Sequence, residues 1–549
     1  MIIIYRGKAF RFEGPVVLLE ALKTMENDSA DILACRSGGE VIALNETVRE
    51  DCRLEPITFQ DEEGRRIYER SLRFVLLYAL HQLYPDAKVR IEHSIGYGIY
   101  LRLINRFLNR DDLQQIDSHM RGIIDEDLPF VPLRLSKDEI IRHFREIGEM
   151  EKSRILSFQP SQVFTLYRLG DYTEYFYGAM LPSTGFVRCF SLRLVFPGIV
   201  MMMPSPANPK QPAPFIHRPK NLSAFEESNR WCRLMGITNA ADLNDLISRG
   251  QFREMVRVNE ALHDKSIARI ADSICQARKK AVFIAGPSSS GKTTFANRMR
   301  IHLKVLGFDP VLLSLDDFYL DREAIPPDPD TGKPDLEHLN TLDLPYLKRC
   351  INQLLSGEEA QIPHFDFKTG KRAEAYTPLR LHENQMLLFE GIHALNPLLH
   401  DDFDSRLTCR VYISELTCMN LDDHSRIRTT DARLLRRITR DWLFRGTSPE
   451  KTLDMWASVR RGEEKWIFPY QENIDFIFNS VLHYELPVFR TVIFDSIRKI
   501  GPDSPNTLAA QRLVNLLQYF LPVPEREFSE IPPLSILREF IGGCTFYDP

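Results

Sequence analysis

Short apolar runs broken by polar turns dominate residues 1–60. Met1–Tyr5, Ala9–Phe12, Asp31–Arg36 and Glu40–Ala43 read as strands, with Pro15–Met25 as a helix among them. Hairpin strands, a helix and more strands in so short a stretch predict a small β-grasp fold. Between Pro204 and Pro219 there are six prolines in sixteen residues, which predict a semi-rigid linker or an ordered irregular loop ending the N-terminal region. Helical spacing returns over 221–280, where Phe252, Met255, Val256, Leu262, Ile267, Ile270 and Ile274 mark one apolar stripe. Within it, Asp242-Leu243-Asn244-Asp245 reads as a capping and turn element. Ala281–Ile284 is a short buried strand, followed by helical spacing from Thr293 to about Leu306. Val311–Leu315 and Gln385–Phe389 are further strands, and Ile474–Tyr484 is the last strand with its exit. Asn506–Leu521 reads as a helix and Pro532–Gly543 as a short docking helix. The expected architecture is multidomain α/β: an N-terminal β-grasp unit (1–60), an α+β unit (61–203), a Pro-rich linker and helical connector (204–275), a parallel sheet flanked by helices (276–500) and a helical tail (501–549).

At 549 residues the chain is too long for one core. Its net charge of -5 gives no global reason to expect a nucleic-acid partner. The nine cysteines are scattered without a CxxC pair, which argues for reduced thiols rather than a disulfide or zinc framework. The start, MIIIYRGKAF, lacks the apolar core of a signal peptide, and the run Leu194–Met203 is too short to span a bilayer and contains Pro197. A cytoplasmic location with no membrane partner is expected, and a homo-oligomer is compatible with the sequence.

The strongest chemistry lies where the strand Ala281–Ile284 meets its helix. Gly286-Pro287-Ser288-Ser289-Ser290-Gly291-Lys292-Thr293 is a complete GxxxxGK[ST] phosphate loop, followed by Thr294. The glycines let successive N–H groups point at phosphate oxygens, Lys292 can reach the β- and γ-phosphates, and the Thr293 hydroxyl can hold Mg²⁺. ATP and Mg²⁺ are the expected cofactors, with residues 288–291 and Thr294 in the binding loop. Asp316, in Asp316-Asp317-Phe318-Tyr319, follows the strand Val311–Leu315, and Glu390 ends the strand Gln385–Phe389. Carboxylates there lie where open α/β sheets bind ligands. Asp316 can take the proton of an attacking hydroxyl and touch Mg²⁺, and Glu390 can complete the metal shell. In Asp431–Asp441, Arg433, Arg436, Arg437 and Arg440 fall at i, i+3, i+4 and i+7 on one helical face. Four like charges in a stripe call for an anion opposite, and an ATP triphosphate fits that need.

GPSSSGKTT, DDFY, PHFDF (Pro363–Phe367), FEGIH and DARLLRRITRD resemble the uridine kinase and phosphoribulokinase family in order and approximate spacing, over about residues 278–485. The resemblance implies an ATP-dependent nucleoside kinase, with Asp316 as catalytic base and Thr293 and Glu390 serving Mg²⁺. It makes the arginine helix a phosphate-clamping lid, with Lys292, Arg433 and Arg437 catalytic and Arg436 and Arg440 on ATP. Tyr319, Glu337, Phe365, Arg372 and Arg433 would join Asp316 around the substrate. Pyrimidine kinases of the family carry tyrosine where this chain has Phe365 and a base-contacting histidine where it has Gly370, so weaker uridine preference is expected. On that alignment, restoring both residues should sharpen pyrimidine use.

The N-terminal pattern resembles the TGS domain that opens threonyl-tRNA synthetases. The continuation through Asp61-Glu62-Glu63-Gly64, Tyr68–Ser71, Ala79–Pro85 and Gly98-Ile99-Tyr100 resembles that enzyme's second additional domain. The family's HxxxH editing pair is replaced by Arg70 and Phe74, which implies a scaffold, regulatory or dimerising unit without editing chemistry. Three functional readings follow: a nucleoside kinase, a kinase of another polyol or sugar phosphate, and a nucleotide-gated RNA- or ribosome-associated protein. Acidic runs at Asp61–Glu63 and Asp125–Asp127 weigh against the third.

Overall fold

A computed structural model describes residues 1–26, 29–325, 337–366 and 369–546. The first unit is a five-stranded sheet. Its order is Lys8–Arg11, Ile2–Tyr5, Cys52–Thr58, Ile32–Ser37, Glu40–Ala43, with Ile2–Tyr5 and Cys52–Thr58 parallel. The helix Leu18–Met25 buries Leu18, Ala21 and Leu22, an amphipathic stripe that covers the sheet.

The next unit is organised around the helix Glu62–Leu83, buried on all sides from Ile67 to Leu80 except at Arg70. A four-stranded antiparallel sheet and the three-stranded sheet Val131–Ser136, Val163–Leu169, Tyr172–Tyr175 accompany it. Phe74 is fully buried, stacked on Phe130 at 5.4 Å and edge-on to Phe176 at 5.2 Å. Arg70 donates to the carbonyls of Tyr177 and Ala179, both at 3.0 Å, and pairs with Glu63 at 2.7 Å. Aromatic core and a satisfied guanidinium thus fill the face where two histidines would stand.

The proline-rich stretch is not a linker. Pro204–Ser205 pairs with Asn208–Pro212 as an antiparallel ribbon, and Gln60 Nε2 donates to Pro206 O at 2.8 Å. Prolines are tolerated there because a two-stranded ribbon leaves its outer N–H positions unused. Helices Pro219–Leu234, Ala240–Ser248 and Phe252–Gln276 follow, the second opened by a capping box between Asn239 and Asp242. The third buries Val256, Ile267, Ile270 and Ile274 in one core with Val282, Ile284 and Phe295.

The large sheet contains β1 (Ala281–Ala285), β2 (Asp309–Ser314), β3 (Gln385–Glu390), β4 (Thr408–Ser414) and β5 (Phe476–Asn479), all parallel, in the order β2-β3-β1-β4-β5. Burial on both faces explains the nearly unbroken apolar runs of β1 and β3. Register aligns Ile284, Ser314 and Glu390 in one row, so the loops after β1 and β2 leave the sheet beside the end of β3. Helix α1 (Lys292–Val305) follows β1; α2 (Thr429–Phe444) and α3 (Pro449–Trp466) follow β4.

The C-terminal segment packs into the same core: Leu513, Leu517, Ile531, Ile536, Leu537 and Phe540 share it with β1, and the short helix α4 (Arg538–Ile541) lies within it. The N-terminal units grip the hairpin Asn420–Asp422/Ser425–Arg426 that leads into α2. Asn420 Nδ2 donates to Ile91 O at 2.6 Å, Ile91 N donates to Asp423 O at 2.9 Å, and buried Lys152 and His424 both meet Glu174, at 2.9 and 2.5 Å. No helix among the described residues is long and apolar enough to cross a membrane.

With Arg70 and Phe74 sealed in this way, the full chain should release no amino acid from mischarged threonine-specific tRNA. A deacylation assay giving a rate above the no-protein control would contradict that expectation.

Candidate functional site

The phosphate loop is held by close packing. Gly291 opens α1 at φ 85°, a left-handed angle suited to glycine, and a Cβ there would come within 2.6 Å of Ile536 Cγ2. A Cβ at Gly286 would come within 2.2 Å of Ile413 O on β4. The buried hydroxyls of Ser289 and Ser290 have no partner among the described residues. Lys292 Nζ donates to Pro287 O at 3.2 Å. Burial lowers the Lys292 pKa, opposed by the nearby carboxylates of Glu390, Glu539 and Asp316.

These acids converge from separate elements. Asp316 sits in the turn after β2, where Ser314 Oγ accepts its N–H at 3.3 Å and the Tyr319 hydroxyl bonds its carboxylate. Burial raises the Asp316 pKa against the pull of Lys292. Glu390, at the end of β3, accepts from Thr293 Oγ1 and Ser314 Oγ, both at 3.4 Å, and burial with neighbouring Asp316 pushes it up to about 7. Glu337 is likewise raised to about 7 by burial, with Arg437 opposing, and its Cβ faces Gly462 of α3. Crowded carboxyls whose pKa values are raised by burial suit a divalent cation, whose charge would favour their ionised forms. Among the described residues no three His, Cys, Asp or Glu side chains form a metal cage. The hydroxyl of Thr293 and the carboxylates of Asp316 and Glu390 are oxygen donors that would suit an ion taking its other ligands from phosphates and water, as Mg²⁺ does.

Several expected contacts are different in the structure. The arginine stripe faces protein carboxylates, because its face of α2 is the buried one. Arg433, 1% exposed, pairs with Glu463 of α3 and donates to Ser288 O at 3.0 and 2.9 Å. Arg436, expected on ATP, is wholly buried, bonded to Glu485 at 2.7 Å and to Ser480 O at 2.8 Å. Arg437 and Arg440 keep 14 and 15% of their side chains exposed; Arg437 donates to Ser288 Oγ at 2.8 Å and Arg440 faces Glu539 at 3.5 Å. The Thr294 hydroxyl, also expected on ATP, donates to Glu539 Oε2 at 2.7 Å. Arg372, expected on the substrate, donates instead to Tyr319 O at 2.7 Å and Phe318 O at 2.8 Å and pairs with Asp343 at 3.1 Å. It braces the turn that carries Asp316.

Phe365 meets Tyr319 edge-on at 5.6 Å, and its N–H lies 3.4 Å from Asp317 Oδ1. Phe367, the last residue of the PHFDF motif, lies outside the described residues. Gly370 has φ 72°, and a Cβ there would come within 2.5 Å of Arg322 Cδ. A histidine would be strained at this position, so Gly370→His is not the restoring change that the alignment implies. Sequence reasoning missed Glu463, Ile536 and Glu539. Glu463 also accepts from the Ser288 N–H of the loop, at 3.0 Å.

Residues 281–486 match the model of the phosphoribulokinase/uridine kinase family. The N-terminal region is similar to threonine–tRNA ligases. That of Desulforamulus reducens is 33% identical over 192 residues, 34% of this chain and 30% of the relative; that of Clostridioides difficile is 31% identical over the same span and shares. The chain thus spans under a third of the length of these curated relatives. Among solved structures, a putative fructose transport system kinase from Silicibacter sp. TM1040 aligns with a TM-score of 0.31 at 18% identity, over 39% of this chain and 98% of that one. A possible uridine kinase from Bacillus stearothermophilus aligns with a TM-score of 0.27 at 19% identity, over the same shares.

A cation seated on Thr293, Asp316 and Glu390 must displace the Glu390 proton. Its affinity in the presence of ATP should therefore rise with pH and level off above about 7. Calorimetric Mg²⁺ titrations from pH 6 to 8.5 should show this rise, and Glu390→Gln should weaken binding and flatten the profile.

Proposed function

We propose that this chain is a Mg²⁺-dependent phosphotransferase that moves the γ-phosphoryl group of ATP to the 5′-hydroxyl of a ribonucleoside. The observation that carries the reading is the convergence of Lys292, Asp316 and Glu390 around a complete phosphate loop. The family match over 281–486 supports it. Asp316 accepts the proton as the hydroxyl oxygen bonds to the γ-phosphorus and the bond to the ADP oxygen breaks. The hydroxyl of Tyr319 holds that carboxylate in place. Lys292 and Arg437 are the cationic groups placed to stabilise charge on the transferring group. When bound, Mg²⁺ supplies charge neutralisation at the phosphates, held by Thr293, Asp316 and Glu390.

For the acceptor, Tyr319 and Phe365 offer an aromatic corner, and Glu337 offers a carboxyl able to bond sugar hydroxyls. Gly370 and Arg372 add no side-chain donor toward a base, so the same chemistry on another polyol is the second reading. Neither reading needs a nucleic-acid partner. The N-terminal units act as a scaffold that positions the hairpin before α2.

Asp316→Asn keeps size and polarity but takes no proton: ATP binding should persist while kcat falls by ~10²-fold or more. Lys292→Ala should weaken ATP use and turnover together. ADP release measured across a panel of nucleosides and polyols checks both; an Asp316→Asn kcat within a few-fold of wild type would remove the base from the mechanism.

A further inference from the structure

A cavity of about 1140 Å³ lies between the N-terminal units and the large sheet. Lys292, Asp316, Tyr319, Glu337 and Glu390 do not line it, whereas Pro287 of the phosphate loop and Arg433 of α2 do. Its wall includes Arg426 and Arg428, the first turn of α2 at Thr429 and Thr430, His93 from the second unit, and Arg461 on α3.

Charge is the first sign of a ligand. Glu69 serves Arg73 at 3.8 Å, Arg426 at 3.7 Å and also Arg428. Asp431 serves Arg66 at 2.9 Å and Arg512 at 3.2 Å, and Glu62 reaches the same two at 2.6 and 3.7 Å. In this cluster five guanidiniums share three carboxylates; Arg426, Arg428 and Arg512 line the cavity with Glu62 and Glu69, whereas Arg66, Arg73 and Asp431 do not. Burial, and after it the Arg66 charge, lowers the Arg428 pKa against the pull of Glu69.

Unused donors are the second sign. The Arg426 side chain is only 10% exposed, and its Nε has no partner among the described residues. His93 is 4% exposed with both ring nitrogens in the same condition, and burial keeps the ring neutral, with its pKa near 3. A buried polar group left this way is costly unless something binds it. Third, the sixteen-residue helix α2 has no side-chain cap, and Thr429 and Thr430 of its first turn line the cavity, so the positive end of the helix lies at this wall, with Asp431 as the one acid of that turn.

We propose that this cavity binds a phosphorylated small molecule of nucleotide size, its phosphate held by Arg426, Arg428 and the N-terminus of α2, and its body lying beside His93. Guanidinium forks and helix N–H groups favour phosphate over a single carboxylate. The volume exceeds what inorganic phosphate fills, and a neutral imidazole offers one donor and one acceptor to a polar ring edge. Helix α2 also carries Arg433 and Arg437, which hold Ser288 of the phosphate loop. Occupancy of the cavity is thus linked to the loop through one rigid helix.

The test is a calorimetric titration of the full chain, saturated with Mg²⁺ and a non-hydrolysable ATP analogue, against inorganic pyrophosphate and separately a nucleoside 5′-monophosphate. One binding event per chain is expected, with the monophosphate bound more tightly than pyrophosphate. Arg426→Gln should weaken it at least tenfold. Arg461→Glu, on the exposed rim and clear of the buried cluster, should weaken it several-fold, with the analogue's affinity within threefold of wild type in both. Absence of binding by both probes, or binding that neither variant changes, overturns the proposal. If the analogue itself does not bind, the kinase reading fails, and the variants' effect on probe binding still decides this one.

Discussion

Two arginines buried away from solvent hold together the half of the chain that carries the phosphate loop. Arg433 and Arg436 of α2 are 1% and 0% exposed, and a buried guanidinium is tolerated only when its hydrogen bonds are satisfied. Their partners come from four places: Glu463 on α3, Glu485 beyond β5, Ser480 at the end of β5, and the carbonyls of Ser288 and Ser289 in the phosphate loop. Seating α2 therefore sets the loop, the flanking helix and the sheet exit at once. Loss of one partner would strand a buried charge at a cost of ~3–5 kcal/mol.

The rest of the chain is built onto that seat from two sides. From the C-terminus, Ile536 lies against Gly291 while Glu539 reaches Thr294 and Arg440. The tail is therefore a wall of the phosphate loop rather than an appendage. From the N-terminus, Arg66 meets Asp431 and Lys152 meets Glu174 beside His424, so the hairpin before α2 is gripped by charges its own domain does not supply. A region similar to part of threonine–tRNA ligases here contacts the hairpin and the helix beside a phosphate loop.

Local features were legible in the sequence because they depend on neighbours along the chain. The phosphate loop, the strand ends bearing Asp316 and Glu390, and the one-faced spacing of the four arginines are of this kind. What the arginines face was not legible. Glu463 and Glu485 lie 30 and 49 residues beyond their partners, and nothing in their surroundings marks them as counter-ions. Thr294 and Glu539 are 245 residues apart, and the tail's sequence carries no chemical motif. Arg372 matched a substrate-binding position by alignment, yet its donors are taken by the backbone of Phe318 and Tyr319, a use that pattern alone does not reveal. For a related reason proline composition left a linker and an ordered irregular loop both open, and the ribbon shows only once the partner strand is known.

In the proposed reaction the buried acids around the phosphate loop direct a phosphoryl group from ATP to an alcohol. The most direct measurement follows the phosphorus itself, by ³¹P NMR of ATP with Mg²⁺, the wild-type chain and a ribonucleoside. ADP and a nucleoside 5′-phosphate ester should appear in equal amounts, with little inorganic phosphate. ATP consumed with the phosphorus recovered only as inorganic phosphate, whichever alcohol is offered, would contradict it.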